Sequence, residues 1–284
     1  MPISPSSSAQ AAREVVAQRL RGLRKTEGLT VAELASRCGW HHAKTSRIEN
    51  ARTAPTATDI RLWCRACNAL DQAEGLISQS LHAESMYTEW RTQVRDGLRA
   101  LQGSEPRLFQ DTALFRVYSS SLVPGLLQTE GYAAGVLTIS ARFREIPVDD
   151  SAAAARARIE RSRIIHEGGR RFVFVVEEAA LRSRVCDDAA MAAQLGYLLT
   201  AGALPQVSLG VIPMAAPGRA QWPRETFHVY NDSLVSVELV SARVRITQPS
   251  EVALYLRAFE QLRSAAVYGA DARTLVLRAI EALR

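Results

Sequence analysis

Apolar side chains recur at helical spacing through the first seventy residues. In 13–26, Val16, Leu20 and Leu23 fall on one stripe with arginines opposite, and Gly28 marks the stop. Thr30, followed three residues later by Glu33, has the spacing of a capping box, in which each residue satisfies a backbone amide of the other. The helix it opens turns Val31, Leu34, Ala35 and Cys38 inward. Gly39 breaks that helix, and after a short turn the segment 41–50 reads as a third helix with Thr45 and Ile48 on its inner side. A Pro-containing loop over 51–59 then leads to a fourth helix over 60–70. The pattern predicts helix, helix, tight turn, helix, loop, helix.

Beyond Asn68 the pattern changes. Residues 83–101 read as one long amphipathic helix with Met86, Trp90, Val94, Leu98 and Leu101 on its stripe, a connector or dimer-packing element that ends at Gly103 to Pro106. Strands are predicted over 112–120, 170–177, 207–213, 224–230 and 234–240. Helices are predicted after the Pro124-Gly125 turn, over 149–165, over 187–202, and in two closing segments, 249–267 and 271–284. Tyr118, Phe172, Phe174, Phe227 and Tyr230 read as alternating core positions that leave room for a small-molecule pocket. The expected architecture is α+β: a disordered tail over 1–12, an all-α domain over 13–80, a connector or dimerisation helix over 81–103, and a larger mixed α+β domain over 104–284.

Composition fits two cores, since the 284 residues are 47% hydrophobic. The first twelve residues lack the charged and apolar regions of a secretory signal, and no run approaches the roughly 20 apolar residues that span a bilayer. A soluble, cytoplasmic protein with no membrane partner is expected. Its four cysteines are too sparse for a disulfide framework and read as reduced, buried thiols.

Charge changes the picture more. Residues 13–68 hold eleven Lys and Arg against five Asp and Glu, whereas 69–284 hold 24 of each, so the net +6 belongs to the N-terminal fifth. Both lysines, Lys25 and Lys44, lie there. A compact basic domain on a neutral body suits a polyanion such as nucleic acid.

In such a layout the second helix braces across the backbone while the third projects its outer face into a major groove. Through "LRGLRKTEGLTVAELASRCGW" and "SRIENARTAPTATDIRLWCRA", the segment from about 15 to 70 resembles the Cro/CI-like, or XRE-type, helix-turn-helix regulators. The resemblance implies contacts to double-stranded DNA from His41, His42, Ala43, Lys44 and Arg47 on the recognition helix, from Thr30 and Val31 at the start of the bracing helix, and from Arg52 in the following loop. It also implies a structural ion pair between Arg24 and Glu49. The family often has glutamine where Val31 stands and serine where His41 stands, so one donor and a good N-cap are absent here. Cys38, Cys64 and Cys67 read as core. A zinc site drawn from them and a histidine is disfavoured, because a helical CxxC lacks the knuckle turn of structural zinc sites.

The neutral part, through "LVPGLLQTEGYA", "FVFVVEEAALRSRV", "VSLGVIP" and "FEQLRSAAV", resembles the C-terminal domain of unknown function that follows the XRE-type module in WhiJ-like regulators of actinomycetes. That resemblance implies a transcriptional regulator; a homodimer on nucleoid DNA, with a C-terminal domain that receives a signal from a protein or a small molecule, is the mechanism expected of it. A small partner protein encoded nearby belongs to the same expectation. The alternative is an antitoxin-like module that binds a small partner and autoregulates its operon. Enzymatic chemistry, cofactors and metals are not expected. Glu177 and Glu178 are adjacent at a strand end and face opposite ways, His166 reads as a helix end, where positive charge is favoured, Cys186 has no partner nearby in sequence, and no P-loop, GxGxxG or HExxH occurs. Arg156, Arg158, Arg161 and Arg163 read as a solvated helix face rather than a phosphate site.

Overall fold

The computed structural model describes residues 7–85, 87–94, 97–146 and 149–283, and the chain divides into two compact units. One comprises 1–88 with 242–248; the other comprises 89–241 with 249–284. No helix among the described residues is long and apolar enough to cross a membrane.

The first unit holds α1 (Ser7–Thr26), α2 (Val31–Cys38), α3 (His42–Glu49), α4 (Ala57–Ala66) and α5 (Ala73–Ser85). Their apolar stripes meet in one core of Val16, Leu20, Leu34, Ile48, Ile60, Trp63, Cys64 and Leu76, each no more than 3% exposed. Each such Leu or Ile, once buried, contributes on the order of 2 kcal/mol. Trp63 keeps its polar atom satisfied inside that core, with Nε1 donating to the Leu20 carbonyl at 3.0 Å. α1 already begins at Ser7, so 7–12, expected in a disordered tail, belong to the helix; 1–6 lie outside the described residues.

Two strands, β1 (Tyr87–Glu89) and β7 (Ala242–Ile246), neighbour one another in the sheet. β7 was not expected from the sequence. Its Ala242, Val244 and Ile246 are buried in alternation with the half-exposed Arg243 and Arg245.

The expected single helix over 83–101 is broken. α5 stops at Ser85, Met86 lies outside the described residues, and β1 is followed by α6 (Trp90–Gln93) and α7 (Leu98–Gln102). The interruption between α6 and α7 has a local cause at Gly97, whose φ of 90° is a left-handed conformation that side chains resist. A distant cause reinforces it: Asp150 accepts from the amides of Leu98 and Arg99 at 3.0 and 2.9 Å, capping α7 from across the fold. Trp90 is pinned by its own donors, N to the Ser241 carbonyl and Nε1 to that of Leu239.

In the second unit, α8 (Pro106–Asp111) precedes β2 (Leu114–Ser119). α9 (Glu130–Phe143) and α10 (Ser151–Ser162) connect β2 to the parallel β3 (Arg171–Glu177). α11 (Glu178–Arg182) and α12 (Asp188–Ala201) then connect β3 to the parallel β4 (Val207–Ile212). β5 (Phe227–Tyr230) and β6 (Leu234–Glu238) extend the sheet antiparallel from β2, giving the order β6-β5-β2-β3-β4 within this unit. α13 (Pro249–Arg263) and α14 (Gly269–Glu281) close the chain.

Parallel strands covered by helices become apolar runs, as in β3, where Phe172 and Phe174 to Glu177 are all buried. The register sets Phe115 beside Phe172, whose rings stack at 4.9 Å. Tyr118, Phe172, Phe174, Phe227 and Tyr230 are all buried. The arginines of α10 divide: Arg156 and Arg163 are exposed, but Arg158 donates to Gln102 and Gln128, and Arg161 lies over the Phe109 ring at 4.8 Å. The expected solvated face is therefore half an internal bracket. The fold is a helical N-terminal region followed by a mixed α+β domain.

Candidate nucleic-acid interface

The corner that presents α3 is built from local chemistry. Thr30 caps α2 reciprocally with Glu33: the Glu33 amide donates to Thr30 Oγ1 at 3.2 Å, and the Thr30 amide donates to Glu33 Oε2 at 2.7 Å. Those bonds hold the Glu33 carboxyl below its ordinary range. At the other end Gly39, with φ 72°, closes α2 in the left-handed conformation that a tight turn requires. His41 serves as N-cap of α3, its Nδ1 accepting from the Ala43 amide at 3.2 Å, so an imidazole does what a serine hydroxyl does elsewhere.

From underneath, Arg24 of α1 fixes the far end of α3. Its Nε and Nη2 donate to the two oxygens of Glu49 at 2.5 and 2.9 Å, and Nη1 donates to the Leu29 carbonyl. Thr45 and Ile48 are buried, so the helix has one inner face and one outer face.

His41, His42 and Arg47 are exposed on the outer face, with Ala43 half-buried beside them. The two imidazoles lie 4.2 Å apart, centroid to centroid. Arg52 is exposed in the turn after α3, its amide donating to the Arg47 carbonyl at 2.8 Å. Thr30 is exposed and Val31 half-buried at the start of α2. Lys44 is placed differently: Nζ donates to Asp59 Oδ1 at 2.6 Å and stands 4.5 Å from the centre of the Trp40 ring.

Asp59 and Trp40 were not singled out in the sequence. Asp59 is the third residue of α4 and caps it reciprocally with Thr56, at 3.1 Å both ways. The signal was present as Thr56 to Asp59, the same spacing as Thr30 to Glu33, inside a stretch read only as a Pro-containing loop. Burial pushes the Asp59 carboxyl up, but the Lys44 and Thr56 hydrogen bonds outweigh it and hold the group below its ordinary value.

The thiols sit in the core. Cys38, Cys64 and Cys67 are buried, and burial pushes Cys38 and Cys67 up to about 11. The described residues contain no group of three or more His, Cys, Asp or Glu side chains able to hold a metal ion.

In the second unit the adjacent carboxylates take separate partners. Glu177 accepts from Arg219 through both oxygens and from the Tyr118 hydroxyl at 2.9 Å. Glu178 accepts from Arg182 at 2.8 Å and from the Met214 amide at 3.0 Å. Each is engaged in holding the 213–226 segment or its own helix.

Residues 110–278 match a domain of unknown function, DUF5753. The chain belongs to the DUF5753 family. Ahead of the DUF5753 domain, residues 15–74 match a helix-turn-helix domain, a span that runs from the middle of α1 through α4 and includes the corner just described. This is a helix-turn-helix DNA-binding domain joined to a DUF5753 domain. No curated protein matches the chain. A solved archaeal chromatin protein, TrmBL2, described as having a novel mode of DNA binding, aligns over 94% of this chain and all of its own at 11% identity and a TM-score of 0.29. A likeness that slight contributes nothing to the assignment.

Proposed function

We propose that this protein is a sequence-specific transcriptional regulator in which the outer face of α3 enters the major groove. His41, His42 and Arg47 would reach base edges or phosphates, with Ala43 offering apolar contact to a thymine methyl. Thr30, Val31 and Arg52 would flank them at the sugar-phosphate backbone. The observation that carries the reading is the exposed row His41, His42 and Arg47 on a helix whose inner face and both ends are fixed by the fold. A preorganised helix face that offers side-chain donors and the charged Arg47 suits groove recognition.

In this reading the protein acts as a homodimer on half-sites about 34–36 Å apart, one duplex turn. The DUF5753 domain receives the signal. A small-molecule input is supported by a cavity of about 270 Å³ lined by Gln221, Arg224, Phe227, Tyr255, Arg257 and Gln261. A small partner protein that co-purifies and changes operator affinity would favour the antitoxin-like alternative instead.

The test is selection of bound duplexes from a random library by the full-length chain, followed by footprinting of the enriched sequence. A recurrent pair of half-sites supports the reading. Arg47→Ala should then weaken binding to that sequence by about 1–3 kcal/mol if the side chain makes a bidentate base contact. Enrichment of no sequence, or unchanged affinity in Arg47→Ala, would remove the assignment of the reading face.

A further inference from the structure

Of the cations on α3, Lys44 alone has an acidic partner outside its own helix among the described residues. The salt bridge to Asp59 joins a side chain that is 35% exposed to one that is 9% exposed. Both oxygens of Asp59 are occupied, Oδ1 by Lys44 and Oδ2 by the Thr56 amide. The lysine is also held from the side by the Trp40 ring, itself fixed by a hydrogen bond from Nε1 to Thr45 Oγ1 at 2.9 Å. By contrast, Arg47 and Arg52 are exposed and have no ion-pair partner among the described residues.

We propose that Asp59 is a positioning residue of the duplex-facing surface, which keeps Lys44 off the phosphates when DNA is bound as well as when it is free. The inference rests on the DNA-binding reading above and sharpens it by removing one of the contacts the sequence resemblance implies.

The physical reason is the burial of Asp59. If Lys44 swung out to a phosphate, a nearly buried carboxylate would lose its counter-ion. The desolvation penalty of that unpaired charge exceeds what one solvent-screened phosphate contact returns. The Trp40 ring adds a cation–π attraction that a phosphate contact would also forfeit.

Specificity is the consequence. A lysine on a phosphate strengthens binding to every sequence alike, whereas base-edge contacts discriminate. Withdrawing Lys44 lowers affinity for arbitrary DNA and leaves the readout by His41, His42 and Arg47 intact, which raises the ratio of specific to non-specific binding.

The experiment measures binding of the full-length protein to a duplex of arbitrary sequence by fluorescence anisotropy, at salt from about 50 to 200 mM. The slope of log K against log salt counts phosphate contacts, at about 0.9 per contact. Lys44→Gln should keep the wild-type slope. Asp59→Asn, which retains an oxygen for the Thr56 amide but loses the charge, should steepen the slope by about 0.9 and tighten binding at low salt. The double variant should return to the wild-type slope.

A slope reduced by about 0.9 in Lys44→Gln overturns the proposal, because Lys44 would then be a phosphate contact. Should Asp59→Asn fold poorly, the Lys44→Gln slope still decides. Failure of the underlying reading looks different: if wild type binds no duplex the DNA-binding assignment falls, and if Arg52→Gln leaves the slope unmoved the α3 face is not the duplex-facing surface; this inference falls with either.

Discussion

Arg24 and Glu49, 25 residues apart, meet as a bidentate pair with side chains only 10% and 6% exposed. Arg24 spends its third donor on the Leu29 carbonyl, at the start of the turn into α2. One guanidinium thus ties the end of α1, the approach to α2 and the end of α3 together. The geometry makes this pair a clamp on the corner rather than part of the surface that α3 presents.

Removing Arg24 should therefore destabilise the helix-turn-helix unit itself rather than act only on the surface it presents. Arg24→Ala leaves the buried Glu49 carboxylate with only the exposed Arg21, at 3.9 Å, in place of its bidentate partner, a change that costs up to about 3–5 kcal/mol. Thermal unfolding of the full-length chain should show a transition for the first unit at markedly lower temperature, with the second unit's transition unmoved. Arg24→Lys keeps the charge but loses the planar fork, and should fall between. An unchanged midpoint in Arg24→Ala would mean the clamp carries no stability.

Much of this unit was legible because its determinants are local. Thr30 and Glu33 are three residues apart, Gly39 sits where a left-handed turn is needed, and Val16, Leu20, Leu34 and Ile48 follow helical spacing. The failures are of two kinds, local signals passed over, such as the Thr56–Asp59 capping box, and elements decided by partners far away in sequence. The 83–101 stripe reads as helix until Asp150 caps α7 from 52 residues on and Trp90 bonds to Leu239 and Ser241. β7 does alternate, with Ala242, Val244 and Ile246 inward, but five residues flanked by polar ones carry too short a period to stand out. For the interface, spacing and resemblance located α3 yet could not tell that Lys44 would face Asp59, because that depends on how α4 packs.

The second unit has a comparable tie in Glu177 and Arg219. Glu177 is buried at the end of β3, and Arg219 reaches it from the 213–226 segment, while Tyr118 donates to the same carboxylate and accepts from the Arg224 amide at 3.2 Å. Burial and that hydrogen bond to Glu177 both push the Tyr118 hydroxyl up, so it stays protonated as a donor. Arg219→Ala should destabilise this unit by about 3 kcal/mol and expose 213–226 to limited proteolysis. Glu177→Gln, which removes the buried charge, should cost less. Equal protease resistance in wild type and Arg219→Ala would show that the segment is held by its other bonds, such as Gln221 to Gln261.

Asp59 links the stability of the first unit to pH. Its carboxyl lies below the ordinary value of 3.8 in the folded chain, so folding favours the ionised form. The sign follows from linkage: a depressed carboxylate adds stability above the unfolded value, and that contribution is lost as pH falls through the folded value. The first unit's unfolding midpoint should therefore fall more steeply in wild type than in Asp59→Asn once pH drops below about 4. Parallel acid profiles would mean that Lys44 and Thr56 do not stabilise the ionised group.

The four thiols offer a check on the cores that needs no DNA. Cys38 and Cys67 are buried at the ends of α2 and α4, and their thiols are pushed up to about 11 by burial, so almost no thiolate exists near neutrality. Cys64 is fully buried beside Trp63 and is also raised by burial. Cys186 differs in being half-exposed, although burial raises it as well. Since the thiolate is the reacting species and must also be reached, a disulfide reagent at mildly alkaline pH should modify one thiol quickly and three slowly. Cys186→Ser should abolish the fast phase, and the slow phase should follow the unfolding rate of the first unit, accelerating in Arg24→Ala. Rapid reaction of more than one thiol in the native protein would show that the helical core opens to solvent far more readily than its packing implies.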